Sequence, residues 1–232
     1  MSTLAQLETR VSARLVDSSN AVFSLTTIDE ALRTVLSEYS AALPLAEETY
    51  LTLPAAGREI AIDGLTGLIQ VLDVWWPFDP DNETWPPNMV AGFRVWWDDA
   101  RPVLILASKT GNQPQQNDNL RLWYTRPHTI QNLDSAAITT VVPNHESALV
   151  TGAAGYAAAS ANIDQIGTVR VDPSEVPGLN QWASQRLAEW RTFLAQLTAA
   201  SPSFGPPYGE GWGIDKWDSS RDRGQARPWP NW

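Results

Sequence analysis

Two different periods are written into this chain. Between residues 3 and 43 the apolar residues recur at spacings of three and four; from about residue 47 they alternate; from about residue 145 the helical spacing returns. A helix buries one face with a period near 3.6 and a strand with a period of 2, so a segment patterned for one cannot bury its apolar groups as the other. The order predicted is helices, then strands, then helices. The last switch falls within residues 120–157, where an alternation of Leu120, Leu122 and Tyr124 passes through Arg126-Pro127-His128 and a short extended piece, Ile138 to Val142, into a helix rich in small residues.

In the first helical segment, Leu4, Leu7, Val11 and Leu15 place one face on a helix over 3–17, broken by Ser18-Ser19-Asn20. Thr27 with Glu30 three residues on reads as a capping box opening a second helix. Its stripe is Ile28, Ala31, Leu32, Val35, Leu36 and Tyr39, and Pro44 closes it. ETYLTLPA, REIAIDG, Leu68–Trp76, Val90–Trp97, Val103–Ala107 and Leu120–Tyr124 read as six short strands, separated by Pro-, Asp- and Asn-rich loops. Strands this short and closely spaced predict a small antiparallel sandwich or barrel. The next helix, to about Asn162, carries Gly152, Ala153, Ala154, Gly155, Ala157 and Ala158. Gly152 and Gly155 are assigned to close helix packing. Asp172-Pro173-Ser174-Glu175 signals a further N-terminus, and Leu179, Trp182, Leu187, Trp190, Leu194 and Leu197 stripe the long helix up to Pro202. The expected fold class is α+β. One helical bundle is drawn from both chain ends (1–46 and 145–200), a small antiparallel β domain (47–144) is inserted in it, and an extended arm (201–232) follows.

Composition removes several kinds of chemistry. There is no cysteine, and two histidines cannot make a His-rich metal site. A net charge of −10 argues against wrapping nucleic acid. No apolar run approaches the ~20 residues of a membrane span. The N-terminal MSTLAQLETR lacks a basic region followed by an apolar run, so no signal peptide is read there and a soluble protein made in a cytoplasm is expected. His128 and His145 near the sheet–helix junction could each serve as a general base, but no Ser or Cys nucleophile motif accompanies them, and structural roles are expected. Asp79–Glu83 resembles part of a calcium loop without the glycine and distal glutamate of an EF-hand, and a turn is expected there. Asn82-Glu83-Thr84 is a glycosylation sequon by pattern only. No phosphate loop is present. No catalytic residue, cofactor or metal is expected.

Tryptophan is over-supplied: twelve residues, five of them at Trp75, Trp76, Trp85, Trp96 and Trp97, and four in the last 21 positions. Paired tryptophans on a β domain would suit a carbohydrate-binding module, which leaves the helices at both ends unused. Residues 201–232 hold Phe204, Tyr208, Trp212, Trp217, Trp229 and Trp232 among prolines and glycines that deny them a helix or a regular strand. These six are the expected anchors on a partner chain, each worth roughly 1.5–3 kcal/mol if fully buried.

Four pieces in combination carry a family resemblance: TIDEALRTVLSEYS, LTLPAAGREIAIDG, WYTRPHTIQNLD and VVPNHESALVTGAAGYAA, together spanning about residues 25–165. With helices at both ends, a β domain between them and a C-terminal extension, the chain resembles the head–tail connector (adaptor) proteins of tailed bacteriophages. The resemblance implies a non-enzymatic virion protein of the neck, between capsid and tail. It implies a homo-oligomeric ring of on the order of twelve copies, docked on the portal protein and on tail or further neck proteins. Packaged DNA would pass through the channel without specific binding, with no membrane involved; an acidic wall repels phosphate. Another tail, baseplate or capsid-decoration role in the same particle is the neighbouring expectation.

Overall fold

The computed structural model describes residues 1–81, 90, 92–99, 101–107, 113–167 and 176–200. The chain is mixed α and β and divides into two compact units. Among the described residues, one is made of 1–45 with 126–200, and the other of 46–125.

The helical unit holds α1 (Leu4–Arg14), α2 (Leu25–Ala42), α3 (Glu146–Gly167) and α4 (Val176–Ala200). The predicted stripes become the core: Leu7 and Val11 of α1 are buried, with Ile28, Ala31, Leu32, Val35 and Tyr39 of α2. Helix α3 lies against α1, α2 and α4. Its Ala153, Ala154, Ala157 and Ala158 are fully buried because three neighbours close on it.

Three of the departures from the sequence reading lie in this unit and have a visible cause. Helix α1 stops at Arg14, before the predicted 17. Leu15 caps it, and the N–H groups of Val16 and Asp17 bond back to Ala13 O and Ser12 O, which turns the chain through a left-handed Val16 at φ 56°. Helix α2 is capped by Ser24, whose hydroxyl accepts from Thr27 N–H, so Thr27 lies inside the first turn and the expected box with Glu30 is not the start. The third concerns residues 126–144. They belong with the helices and not with the β unit as the boundary at 144 had it, because Ile130, Leu133 and Val141 drop into the helical core. The extended piece at 138–142 is no strand; the backbone N–H of Thr140 bonds Thr129 O, and Thr139 Oγ1 donates to Ser2 O. The segment thus ties the start of the chain to the start of α3, where Glu146 receives Ser2 N–H, Ser2 Oγ–H and Arg10.

The β unit has six strands among the described residues: β1 (Leu45–Thr52), β2 (Glu59–Ala61), β3 (Gln70–Trp75), β4 (Phe93–Asp98), β5 (Arg101–Leu106) and β6 (Asn119–Arg126). They form two three-stranded sheets, β1-β6-β3 and β2-β5-β4, and the pairs β3/β6, β2/β5 and β4/β5 are antiparallel. Ile60, Val71, Val74, Leu104, Leu106, Leu120 and Leu122 from both sheets share one buried cluster. Each sheet therefore turns one face inward and one outward, as period-2 patterning demands.

Candidate functional site

The two histidines meet in the helical unit, around Tyr39. The Tyr39 hydroxyl lies 2.8 Å from His145 Nδ1, and its ring packs 4.8 Å from the ring of His128. His128 Nδ1 is 3.0 Å from the Thr140 carbonyl oxygen. A carbonyl only accepts, so Nδ1 carries the proton and Nε2 is bare. That Nε2 is buried with no hydrogen-bond partner. Burial outweighs the opposing pull of the Thr140 and Leu43 carbonyls and, with the nearby charge of Arg126, holds the His128 pKa below its ordinary value. The base is therefore neutral but out of reach, and the hydroxyls beside it are engaged: Ser40 Oγ donates to Leu36 O and accepts from His128 N–H. The cluster works as polar packing, with Phe193 of α4 edge-on to His145 at 5.2 Å.

Glycine placement matters in the same unit. A Cβ on Gly152 would lie 2.8 Å from the indole of Trp190, and one on Gly155 would lie 3.1 Å from Leu187. Trp190 itself is almost fully buried, and its indole N–H donates to Glu38 at 2.6 Å. Tyr156 donates to the other Glu38 oxygen at 2.5 Å, so one carboxylate of α2 links α3 and α4.

Among the described residues, the outward faces of the two sheets carry clustered aromatic side chains. On β1-β6-β3 the outer residues are held together by Arg121. Its guanidinium donates to both Glu48 oxygens, at 2.9 and 3.0 Å, and lies 4.6 Å from the ring centre of Trp123, 4.9 Å from Trp75, 5.4 Å from Phe78 and 5.7 Å from Tyr50. The Arg121 hydrogen bonds, followed by that of Tyr50, hold the Glu48 carboxyl below the usual carboxylate range. Trp75 Nε1–H is satisfied by Asp73 two residues back on the same face. This face is internally stapled.

The outer face of β2-β5-β4 is different. Trp96 and Trp97 are each more than half exposed. Glu59, Arg94, Trp96, Asp98, Val103 and Ile105 line an open depression of about 370 Å³. Successive residues of a strand point to opposite faces. Trp96 accordingly shares the outer face with Arg94, whose guanidinium lies 5.4 Å from its ring, while Trp97 stands opposite buried Pro102 on the inner side. Trp75 and Trp76 are likewise divided, Trp76 packing toward the core while Trp75 packs tilted against Trp123, ring centres 4.4 Å apart and planes at 54°. Neither adjacent pair forms the single flat platform on which a sugar would stack.

The expected anchors Phe204, Tyr208, Trp212, Trp217, Trp229 and Trp232 lie outside the described residues, as do Trp85 and Asn82-Glu83-Thr84. At Asp79, the part of DPDNE that is described forms a turn in which Asp81 N–H bonds the Asp79 carboxylate. Among the described residues no group of three or more His, Asp or Glu side chains could hold a metal ion, and no helix is long and apolar enough to cross a membrane. The residues that sequence reasoning missed are Arg121 and Glu48. Their only signal was position, an Arg and a Glu at outward-facing sites among aromatic residues.

No family model matches the chain, and no curated protein matches it. Among solved structures, the chain is similar to one from the neck of an empty gene transfer agent particle resolved with C6 symmetry. The TM-score is 0.29 and the identity 16%, over 66% of this chain and 76% of that one. It is also similar to a chain from the virion of a native gene transfer agent particle, at TM-score 0.29 and 15% identity, over 77% and 87% of the two chains. A TM-score at this level does not establish a shared fold.

Proposed function

We propose that this chain is a structural protein of a tailed-phage-like particle, serving at its neck as a head–tail adaptor. In this reading copies of the chain form a closed ring between portal and tail, around the channel through which DNA passes. The chain has no catalytic role, cofactor or metal. The observation that carries the reading is the layout. Both chain ends build one helical unit, and residues 46–125 leave it and return as a separate β unit. That is the plan of the connector proteins which the sequence pieces at 27–40, 51–64, 123–134 and 141–158 resemble. The buried alanines of α3 and the inaccessible His128 Nε2 fit a scaffold better than an active site. The net charge of −10 suits a protein that must let DNA slide past without holding it.

Under this reading, residues 201–232 strap the ring to its neighbour, with Phe204, Tyr208, Trp212, Trp217, Trp229 and Trp232 as buried anchors. The test is a map of the intact particle with this chain located in it. A closed ring of mutually touching copies between capsid and tail is the expected result. Copies that stand apart from one another, or that lie on the capsid shell or the distal tail, would overturn it.

A further inference from the structure

We propose that β4 is a pairing edge through which two copies of this chain join antiparallel, centred on Trp96. Among the described residues, strand β4 ends its sheet. The direction of its backbone groups follows from β5. The Pro102 carbonyl accepts from Ile62 N–H and Leu106 N–H donates to Arg58 O, so the even residues of β5 face the β2 side. Its odd residues then face β4, and Ala107 N–H donating to Gly92 O agrees. The register pairs Arg94 with Ile105, Trp96 with Val103 and Asp98 with Arg101. Phe93, Val95 and Trp97 therefore present their N–H and C=O groups at the outer edge, a template for another strand.

One register of self-pairing satisfies every exposed feature of this edge. With Trp96 opposite Trp96 of the second copy, Arg94 of each copy falls opposite Asp98 of the other, twice over. Val95 falls opposite Trp97, the two exchanging the outward backbone hydrogen bonds. Parity agrees: Arg94, Trp96 and Asp98 occupy non-hydrogen-bonded sites, where facing side chains come closest. The two half-exposed tryptophans are covered together, Trp96 on the outer face against its twin and Trp97 on the inner face against Val95. The occupant is a second copy because the edge is complementary in charge to itself, basic at Arg94 and acidic at Asp98 with an apolar centre between. A two-fold contact of this kind closes on two copies. It is separate from any head-to-tail contact that closes a ring, and it stands or falls without the adaptor reading.

The test uses the full chain, which has no cysteine. Trp96→Cys places two thiols across the axis at a separation that a disulfide spans. Mild oxidation should give a covalent dimer, while Glu59→Cys, away from the axis, should not. By sedimentation, Arg94→Asp or Asp98→Arg alone should weaken the dimer about tenfold through two like-charge pairs. The double exchange should restore it, and the thermal midpoint of each exposed-site variant should stay near the parent's. A parent chain that sediments as a monomer, a double exchange as weak as either single variant, or equal crosslinking at Cys-substituted positions 96 and 59 would overturn the pairing. So would a monomer in which truncation after Ser201 newly exposes Trp96 to quencher, since the chain's own tail would then cover the edge.

Discussion

Val16 is a β-branched residue at φ 56°, 91% exposed, directly after the cap of α1. The N–H groups of Val16 and Asp17 close the two bonds that usually accompany glycine at this position. A left-handed L-residue costs about 1–2 kcal/mol, and glycine avoids most of that. Val16→Gly should therefore raise the stability of the helical unit by about 1 kcal/mol, although it removes a side chain. Urea unfolding of the two proteins checks this, and a loss of stability would contradict the strain argument. His128 gives a second residue-scale prediction. Burial lowers its pKa in the folded chain, so the unfolded chain takes up the proton first as pH falls. The stability is fully present above the unfolded value near 6.5 and declines as pH drops from there toward the folded value, by at most about 1.4 kcal/mol per pH unit. His128→Asn keeps an N–H for Thr140 O and cannot titrate. Its unfolding free energy should fall less steeply than the parent's between about pH 6.5 and 5; parallel curves would show that His128 is not the group responsible.

At the scale of elements, α3 illustrates how a propensity rule can reverse. Glycine inside a helix ordinarily costs roughly 0.5–1 kcal/mol against alanine. At Gly152 the added methyl would lie 2.8 Å from the Trp190 ring and 3.0 Å from Val35. Trp190 cannot swing away, since it is buried and its indole is tied to Glu38. Overpacking of this kind costs about 1–3 kcal/mol, which exceeds the helix gain. Gly152→Ala should destabilise the protein by about 1–2 kcal/mol, read by the same urea unfolding; a stabilised variant would mean that α3 and α4 can separate at little cost. The β unit offers a related contrast between its sheets. Arg121 fills the outer face of β1-β6-β3 from within, whereas the outer face of β2-β5-β4 keeps Trp96 in water. The stapled face is complete by itself, and the open one invites a partner.

For the whole molecule the expectation concerns residues 201–232. Truncation after Ser201 removes Phe204, Tyr208, Trp212, Trp217, Trp229 and Trp232 and keeps every described residue of the two buried clusters. Under the adaptor reading the shortened chain should fold with an unchanged far-ultraviolet spectrum and be depleted from assembled particles at least tenfold, a loss of about 1.4 kcal/mol or more. Quantifying the chain in purified particles by mass spectrometry checks it. Undiminished occupancy would mean that the anchor lies elsewhere.

The order of periods by itself determined the order of elements. Leu7, Val11, Ile28, Leu32 and Val35 are buried because a 3.6-residue repeat leaves a helix only one face to bury. Six strands fall in or beside the segments read as strands, β1 displaced to Leu45–Thr52 from the expected 48–55, because the signal is local and needs no partner to be read. Three matters were decided only by tertiary contact. Residues 126–144 carry too few periodic positions to declare a side, and the helical core claimed them by taking up Ile130, Leu133 and Val141. The start of α2 was settled by which hydroxyl reached a free N–H, Ser24 and not Thr27. Arg121, Glu48 and the β4 edge could not be singled out beforehand, because a guanidinium among aromatic rings, or a strand paired on one side only among the described residues, is a relation between segments distant in sequence. Local pattern encodes which face of an element is apolar; only packing selects what that face meets.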